Sequence, residues 1–350
     1  MNNKKNFINI LLVFGLTVFG LWFSLRGNFK EVLDTIKQIS PLWLIIILGM
    51  GIIYYCCNGV IVYILARKYR PDYKKREALT NAYIGAFFNG ITPAGGTQVA
   101  QMYMFKKQGI KASDAGSILY TDFIIFQSTL LVYVGILMLI KFKSYLECNQ
   151  QFSLIVFIGF LINASVIVIL WILYKFPSLY EKASVKILHL LAKIHIVKDE
   201  EKTGIRWAQQ IDNFTKEIRV LKKNKKLLVK LVGINIFRFS LYYSLPYIVA
   251  LGLNVQIDPT LLFDIICLSA FVHMSNACSP LPGDAGFTEG AFVIMFSPLF
   301  GRSIAASIMV FWRFATYQLM IIIGGITFLI FKDKEVYRAI KEVKEVKEKQ

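Results

Sequence analysis

Between Ala78 and Phe105 the chain runs for about 28 residues without a charged side chain. A helix of that length would span a bilayer. Its middle, "FFNGITPAGGTQ" (Phe87–Gln98), instead gathers Asn89, Gly90, Thr92, Pro93, Gly95 and Gly96, a set that weakens or breaks helices. The fold must therefore accommodate a helix break at membrane depth. There, freed backbone groups need partners from the protein or from a wet cavity.

The rest of the sequence fixes the solvent. Hydrophobic residues make up 56% of 350, and several apolar runs are long enough to cross a membrane. The clear spans are Ile8–Phe23, Pro41–Leu65, Ala115–Ile140, Phe152–Tyr174, Leu227–Leu251 and Ser303–Phe331. Trp22, Trp43, Trp171 and Tyr174 lie near span ends, where amphipathic rings favour the interface. The start, "MNNKKNFINILLVFGLTVFGLWF", has a basic head and an apolar run but no small-residue cleavage pattern, and reads as an uncleaved first helix. The net charge of +18 follows from basic cytoplasmic loops and gives no reason to invoke nucleic acid. Five scattered cysteines, with Cys56 and Cys57 adjacent inside a span, show no metal-ligand spacing and no disulfide framework.

Basic loops orient the spans. "RKYRPDYKKRE" (Arg67–Glu77), "KKQGIK" (Lys106–Lys111), the loop 175–226 and the tail 332–350 are rich in Lys and Arg, whereas "NVQIDP" (Asn254–Pro259) has neither. The N-terminus, these loops and the tail are thus expected on the cytoplasmic side. Basic loops flank Ala78–Phe105 at both ends, so the stretch should enter, turn and leave on one side. Each arm of about 12 residues reaches roughly 18 Å, near the bilayer middle. A second such segment runs Leu261–Phe300, broken at Ser279–Gly286 and entering from the outer side.

These readings give an all-α polytopic membrane protein, one integral membrane domain over 1–350. It is an inverted repeat of two halves, 1–140 and 152–331. Each half holds three transmembrane helices and one re-entrant helical hairpin. Inverted repeats with broken helices recur in transporters, with substrate near the midplane. The tips echo each other weakly, "PAGGTQ" against "PGDAGFTE". Three further stretches are amphipathic and read as interfacial helices: Phe29–Ile39, Trp207–Leu221 and Val336–Val346. For the last two, packing on each other in water is an equal reading.

The two tips are the first candidates for a site, because half-helix N-termini favour an anion such as phosphate. The residues concerned are Asn89, Thr92, Pro93, Gly95, Gly96 and Gln98 on the first, and Ser279, Pro282, Gly283, Asp284, Gly286 and Glu289 on the second. Ionisable residues inside spans are costly and point to function. Arg238, Arg313 and Asp122 lie in spans, while Asp264 and Glu289 flank the second tip. Two readings stand for the arginines: contact with a phosphate-bearing substrate, or internal pairing with Asp122, Asp264 or Glu289. One arginine can serve each. Lys230, near the start of its span, snorkels. His189 and His195 fall in the loop, and His273 reads as a hydrogen-bonded packing residue. No catalytic motif appears, so no enzyme, cofactor or metal is expected.

"FFNGITPAGGTQVAQMYMFKKQGI" together with "SPLPGDAGFTEGAFVIMFSPLF" resembles the transmembrane flippase region of lysylphosphatidylglycerol synthases, the multiple peptide resistance factor proteins, over nearly the whole chain. The resemblance implies a bacterial plasma-membrane protein that moves a lipid between leaflets and counters cationic antibiotic peptides. It assigns Asn89, Thr92, Pro93, Gly95, Gly96, Gln98, Pro282, Gly283, Gly286 and Glu289 to the motifs. Asp284 stands where a second glycine is common, and Thr288 where a basic residue often precedes the glutamate. The aminoacyl-transferring domain of the full-length proteins is not expected in this chain. The leading expectation is a lipid carrier for a phospholipid, such as lysylphosphatidylglycerol, or a polyprenyl-phosphate-linked lipid. The alternatives are a small-anion secondary transporter and a membrane partner of a phosphatidylglycerol lysyltransferase. Membrane lipids are the expected partners, with a lipid-synthesising enzyme or a second copy of the chain beside them.

Overall fold

The computed structural model describes residues 39–91, 96–148, 150–175, 203–205, 224–279 and 281–331, with Asp34 and Lys37 besides. Among the described residues all regular structure is helical: α1 (Pro41–Ala66), α2 (Lys75–Ile91), α3 (Gly96–Lys107), α4 (Ala112–Cys148), α5 (Gln150–Lys175), α6 (Lys225–Gly252), α7 (Leu261–Ser275), α8 (Phe287–Phe300) and α9 (Arg302–Arg313). The last helix continues through a π-helical turn, Phe314–Gln318, to Phe331. Five spans read from the sequence are helices here, and Ile8–Phe23 lies outside the described residues. So do nearly all of the three amphipathic stretches, the loop 176–223 apart from 203–205, and the tail. Among the described residues six helices are long and apolar enough to cross a membrane, and one is Leu261–Cys278, which the sequence reading makes a hairpin arm. Its 18 residues reach about 27 Å, most of a hydrocarbon core, so this arm is longer than the half-helix expected.

Local chemistry sets the helix ends. Ser40 Oγ accepts the Trp43 N–H at 3.5 Å with Pro41 in the first turn, and Asn224 Oδ1 accepts the Leu227 N–H at 3.0 Å to start α6. Lys106 and Lys107 occupy the last turn of α3, and Gly109 at φ +79° turns the chain out of it.

The stretch that opened the sequence reading is a hairpin. α2 and α3 lie side by side and antiparallel: Asn81 Nδ2 donates to the Gln101 carbonyl at 3.3 Å, and Thr97 Oγ1 to Asn89 Oδ1 at 3.4 Å. Polar groups clamp its base. Tyr73 donates to Gln108 Oε1 at 2.6 Å, and Gln108 Nε2 to the Glu77 carbonyl at 2.8 Å. Arg70 bridges to Glu77 at 2.9 Å and to Asp72 at 3.1 Å, and also donates to the Gln108 carbonyl. Both ends of the broken segment are thus tied together at one place. α7 and α8 form the second hairpin through the turn 276–286, where Thr288 Oγ1 donates to Asn276 Oδ1 at 3.1 Å. In each hairpin a threonine opening the second arm bonds an asparagine closing the first.

The packing repeats as well. α1 packs on α2 as α6 packs on α7. α2 packs on α3 as α7 on α8, α3 on α4 as α8 on α9, and α1 on α4 as α6 on α9. α1 and α6 meet at the centre and run antiparallel, with Trp43 beside Gly252 and Tyr54 beside Arg238. The main apolar core fills the space among α1 and α4 to α9. Outward faces keep large apolar side chains exposed, such as Ile45, Val132 and Val229, as expected where the surrounding solvent is lipid.

Close backbone approach fixes some helix crossings. A Cβ on Gly51 would sit 2.2 Å from the Ala315 carbonyl oxygen, inside the π-helical turn. Gly49, one helical position pair away, has nothing within 4 Å. Gly51→Val is therefore expected to destabilise the protein by about 1–3 kcal/mol or more through overpacking. Gly49→Ala should be neutral or stabilising by up to about 1 kcal/mol. Thermal unfolding of the two variants in detergent checks this contrast.

Candidate functional site

Two arginines reach the protein centre, and the fold treats them differently. Arg313 closes α9 and is 4% exposed, Glu289 in the first turn of α8 is 3% exposed, and the two are bridged at 2.7 Å. Arg313 Nη2 also donates to the Gly283 carbonyl at 3.0 Å, and its guanidinium lies 4.1 Å from the centre of the Tyr317 ring. The other Glu289 oxygen, Oε2, accepts the Gly286 N–H at 2.7 Å. The α8 N-terminus thus already holds an anion, its own Glu289. Carboxylate, helix end and arginine satisfy one another at this tip, where the sequence reading expects an anion.

Backbone geometry at this tip explains its residues. Gly283 has φ +57°, and a Cβ there would lie 2.2 Å from the Tyr317 ring. Asp284 has φ +54°, a left-handed conformation that glycine adopts readily and that aspartate tolerates better than most side chains. Ser279 Oγ accepts the Leu281 N–H at 3.3 Å within the same turn. Pro282 sits in the short 3₁₀ turn with Gly283 and Asp284.

The two tips are joined. Tyr317 donates its hydroxyl to the Gly90 carbonyl at 3.1 Å, so one ring lies under Arg313 and anchors the end of α2. This contact lies in the π-helical turn, and such turns often mark functional positions. At the first tip Asn89 and Gln98 are exposed and Gly96 is half-buried, while Thr92, Pro93 and Gly95 lie outside the described residues.

Arg238 is the contrasting case. It sits midway along α6, 8% exposed, with no carboxylate within 4.0 Å among the described residues. Its Nη2 donates to the Tyr54 hydroxyl at 3.2 Å. The guanidinium lies 4.6 Å from the Tyr54 ring centre and 4.9 Å from that of Phe126. Its Nε is buried without a hydrogen-bond partner, and so is Oδ1 of Asp122, the carboxylate whose charge reaches Arg238 from α4. Unsatisfied buried polar groups are rare and ask for an explanation. Around them stand Tyr55, Tyr242, Tyr243, Trp312 and His273. Tyr243 and His273 Nδ1 share a hydrogen bond of 2.6 Å, and Tyr242 packs edge-on against Trp312 at 5.4 Å. The Tyr55 hydroxyl feels both arginines and lies 3.5 Å from the Thr316 carbonyl.

Asp264 takes neither arginine. It bridges to Lys141 at 2.8 Å, a partner outside the set considered from the sequence. The tyrosines were also missed. Their signal was the doublet Tyr54–Tyr55 in mid-α1 and its match, Tyr242–Tyr243, in α6: four hydroxyls at membrane depth need partners.

From the Arg238 cluster toward the end of α1 and the start of α6 lies a cleft of about 390 Å³ between these helices, lined by Cys57, Val60, Val229, Lys230, Gly233, Ile234 and Phe237. The long apolar helices and paired broken hairpins define a multi-pass membrane protein with ionisable groups at its core. The sequence model of one family, described as "Lysylphosphatidylglycerol synthase TM region", matches residues 7–324, and the chain belongs to that family. No curated protein and no solved structure matches it.

Proposed function

We propose that this protein is a lipid carrier that moves a phosphate-bearing lipid between the leaflets of a bacterial plasma membrane. Arg238 would be the counter-charge for the headgroup. The observation that carries the reading is Arg238 itself: a buried guanidinium at mid-span, without an ion-pair partner among the described residues and with Nε unsatisfied. A permanently charged group is costly in that position unless an anion visits it. Arg313, committed to Glu289, holds the second tip in shape. The headgroup classes are those expected from the sequence, a phospholipid such as lysylphosphatidylglycerol or a polyprenyl-phosphate-linked lipid.

Two features support the transport reading. The matched helix packings, the antiparallel α1 and α6 and the matched Thr–Asn bonds fit an inverted repeat, the architecture in which two halves rock about a midplane site. The cleft beside Arg238 opens sideways between α1 and α6, and a lipid keeps its tails in the bilayer while its headgroup moves. A small-anion transporter would need an enclosed watery cavity instead. The basic loops favour a cytoplasmic position for both termini. In this reading a lipid-synthesising enzyme would supply the lipid as a partner.

The test is leaflet exchange. Purified protein in liposomes should accelerate loss of a headgroup-labelled phospholipid from the protected leaflet to an external quencher. Exchange no faster than in protein-free liposomes, across anionic, aminoacylated and polyprenyl-phosphate lipids, would overturn the proposal.

A further inference from the structure

The cleft beside Arg238 continues, by way of Lys230, into a second cavity of about 520 Å³. The second cavity lies where the end of α1 meets the start of α6, and its polar lining is Tyr63, Arg67, Lys68, Asn224 and Lys230. Among the described residues no acidic side chain lines either cavity. Another basic cavity, at the base of the first hairpin near Arg76 and Lys107, contains Glu77 and so has part of its charge offset.

We propose that the α1–α6 cleft is a binding site for an anionic phospholipid of the surrounding bilayer, with its phosphate at Arg67 and Lys230 and its acyl chains along Val60, Val229 and Phe237. The chemistry changes along the cleft in the way an amphiphile does. Arg67 is pre-oriented: Nε donates to the Pro71 carbonyl at 2.9 Å and Nη1 to the Tyr63 hydroxyl at 3.1 Å. That leaves Nη2 for a phosphate oxygen. Lys230 is exposed and has no hydrogen-bond or ion-pair partner among the described residues. Beyond Lys230 the lining turns apolar, and Val229 and Phe237 stay 70% and 54% exposed. A soluble anion would make no use of that trough, and a lipid with a neutral headgroup would make none of the basic mouth. Cavities of this size fall within the range that holds ligands.

The cleft also leads somewhere. Lys230 and Arg238 are eight residues apart on α6, about 12 Å along the helix axis. Cys57, within electrostatic reach of Arg238, stands one turn from its partner Tyr54. A headgroup at the basic mouth would be poised to move to Arg238. That onward step rests on the carrier reading, whereas the binding site does not.

The full chain in nanodiscs tests the site, with either phosphatidylglycerol or phosphatidylcholine bearing a photoactivatable acyl chain as the probe. Cross-links are expected on Val60, Val229 and Phe237 from phosphatidylglycerol, several-fold above phosphatidylcholine. Lys230→Gln and Arg67→Gln should each lower the yield about fivefold, the size of one basic contact to an anionic lipid surface. Gly233→Leu is expected to block cross-linking at Phe237 while the protein stays folded, because a Cβ at Gly233 meets nothing within 4 Å. Equal labelling by both lipids, labelling elsewhere on the chain, or yields unchanged in the charge variants would overturn the site. Labelling of the cleft without leaflet exchange would leave the site standing and overturn the carrier. Exchange with an unlabelled cleft would do the reverse.

Discussion

Replacing Glu289 with alanine is expected to cost about 3–5 kcal/mol of stability, the usual penalty for leaving one member of a buried ion pair without its partner. The effect should be large because Glu289 does two jobs. One oxygen neutralises Arg313 at 2.7 Å, and the other caps α8 through the Gly286 N–H at 2.7 Å. At 4% and 3% exposure, neither charge can turn to water. Arg313→Met alone should also destabilise, by stranding the carboxylate. The double variant Glu289→Ala with Arg313→Met should be more stable than the sum of the two single changes predicts, since no buried charge is left over. A double-mutant cycle from thermal or denaturant unfolding in detergent measures this. Additive losses would mean that the pair is not coupled and that the second tip is held by its backbone alone.

That cycle bears on what the sequence could say. Helix positions were legible because each apolar run is long and uninterrupted: Pro41–Leu65 read from the sequence is Pro41–Ala66 in the fold. The first hairpin was legible from the basic loops at both ends of an uncharged segment. The depth of the second was not, because Leu261–Cys278 is mostly apolar, with Asp264 in its first turn and no break before Asn276. The ionisable residues Asp122, Arg238 and Arg313 stood out for their cost at membrane depth, but sequence spacing does not say who pairs with whom. Glu289 and Arg313 meet across 24 residues, and Tyr317 reaches Gly90 across 227. Such contacts follow from how the two hairpins face each other. The tyrosine doublets stand in plain view in the sequence, but the partners of Tyr55 and Tyr243 are on other helices, which spacing does not reveal. Thr97 and Thr288 were part of the weak echo between the tips, and their matching bonds to Asn89 and Asn276 give that echo a physical basis.

Arg238→Ala is expected to abolish lipid movement while leaving the fold largely intact, the opposite of the Glu289 result. Arg238 gives up only one hydrogen bond, to Tyr54, and its stacking on two rings. A phosphate bound to it would lose charge-assisted hydrogen bonds worth about 1.5–3 kcal/mol each, a fall in affinity of roughly ten- to a hundredfold per bond. Arg238→Lys should recover part of the rate, because it keeps the charge but not the planar fork. Asp122 supplies the sign that separates the two readings of this arginine. Its charge reaches Arg238 without bridging it, and its Oδ1 is unsatisfied. If the phosphate is the counter-ion of Arg238, Asp122 competes with it, and Asp122→Asn should tighten anionic-lipid binding by on the order of 1 kcal/mol or more. If Asp122 is instead the structural partner of Arg238, the same change should lower both stability and transport. Lipid binding measured on Asp122→Asn beside its unfolding midpoint decides between them: tighter binding at near-normal stability keeps Arg238 as the headgroup site, and weaker binding with lost stability removes it.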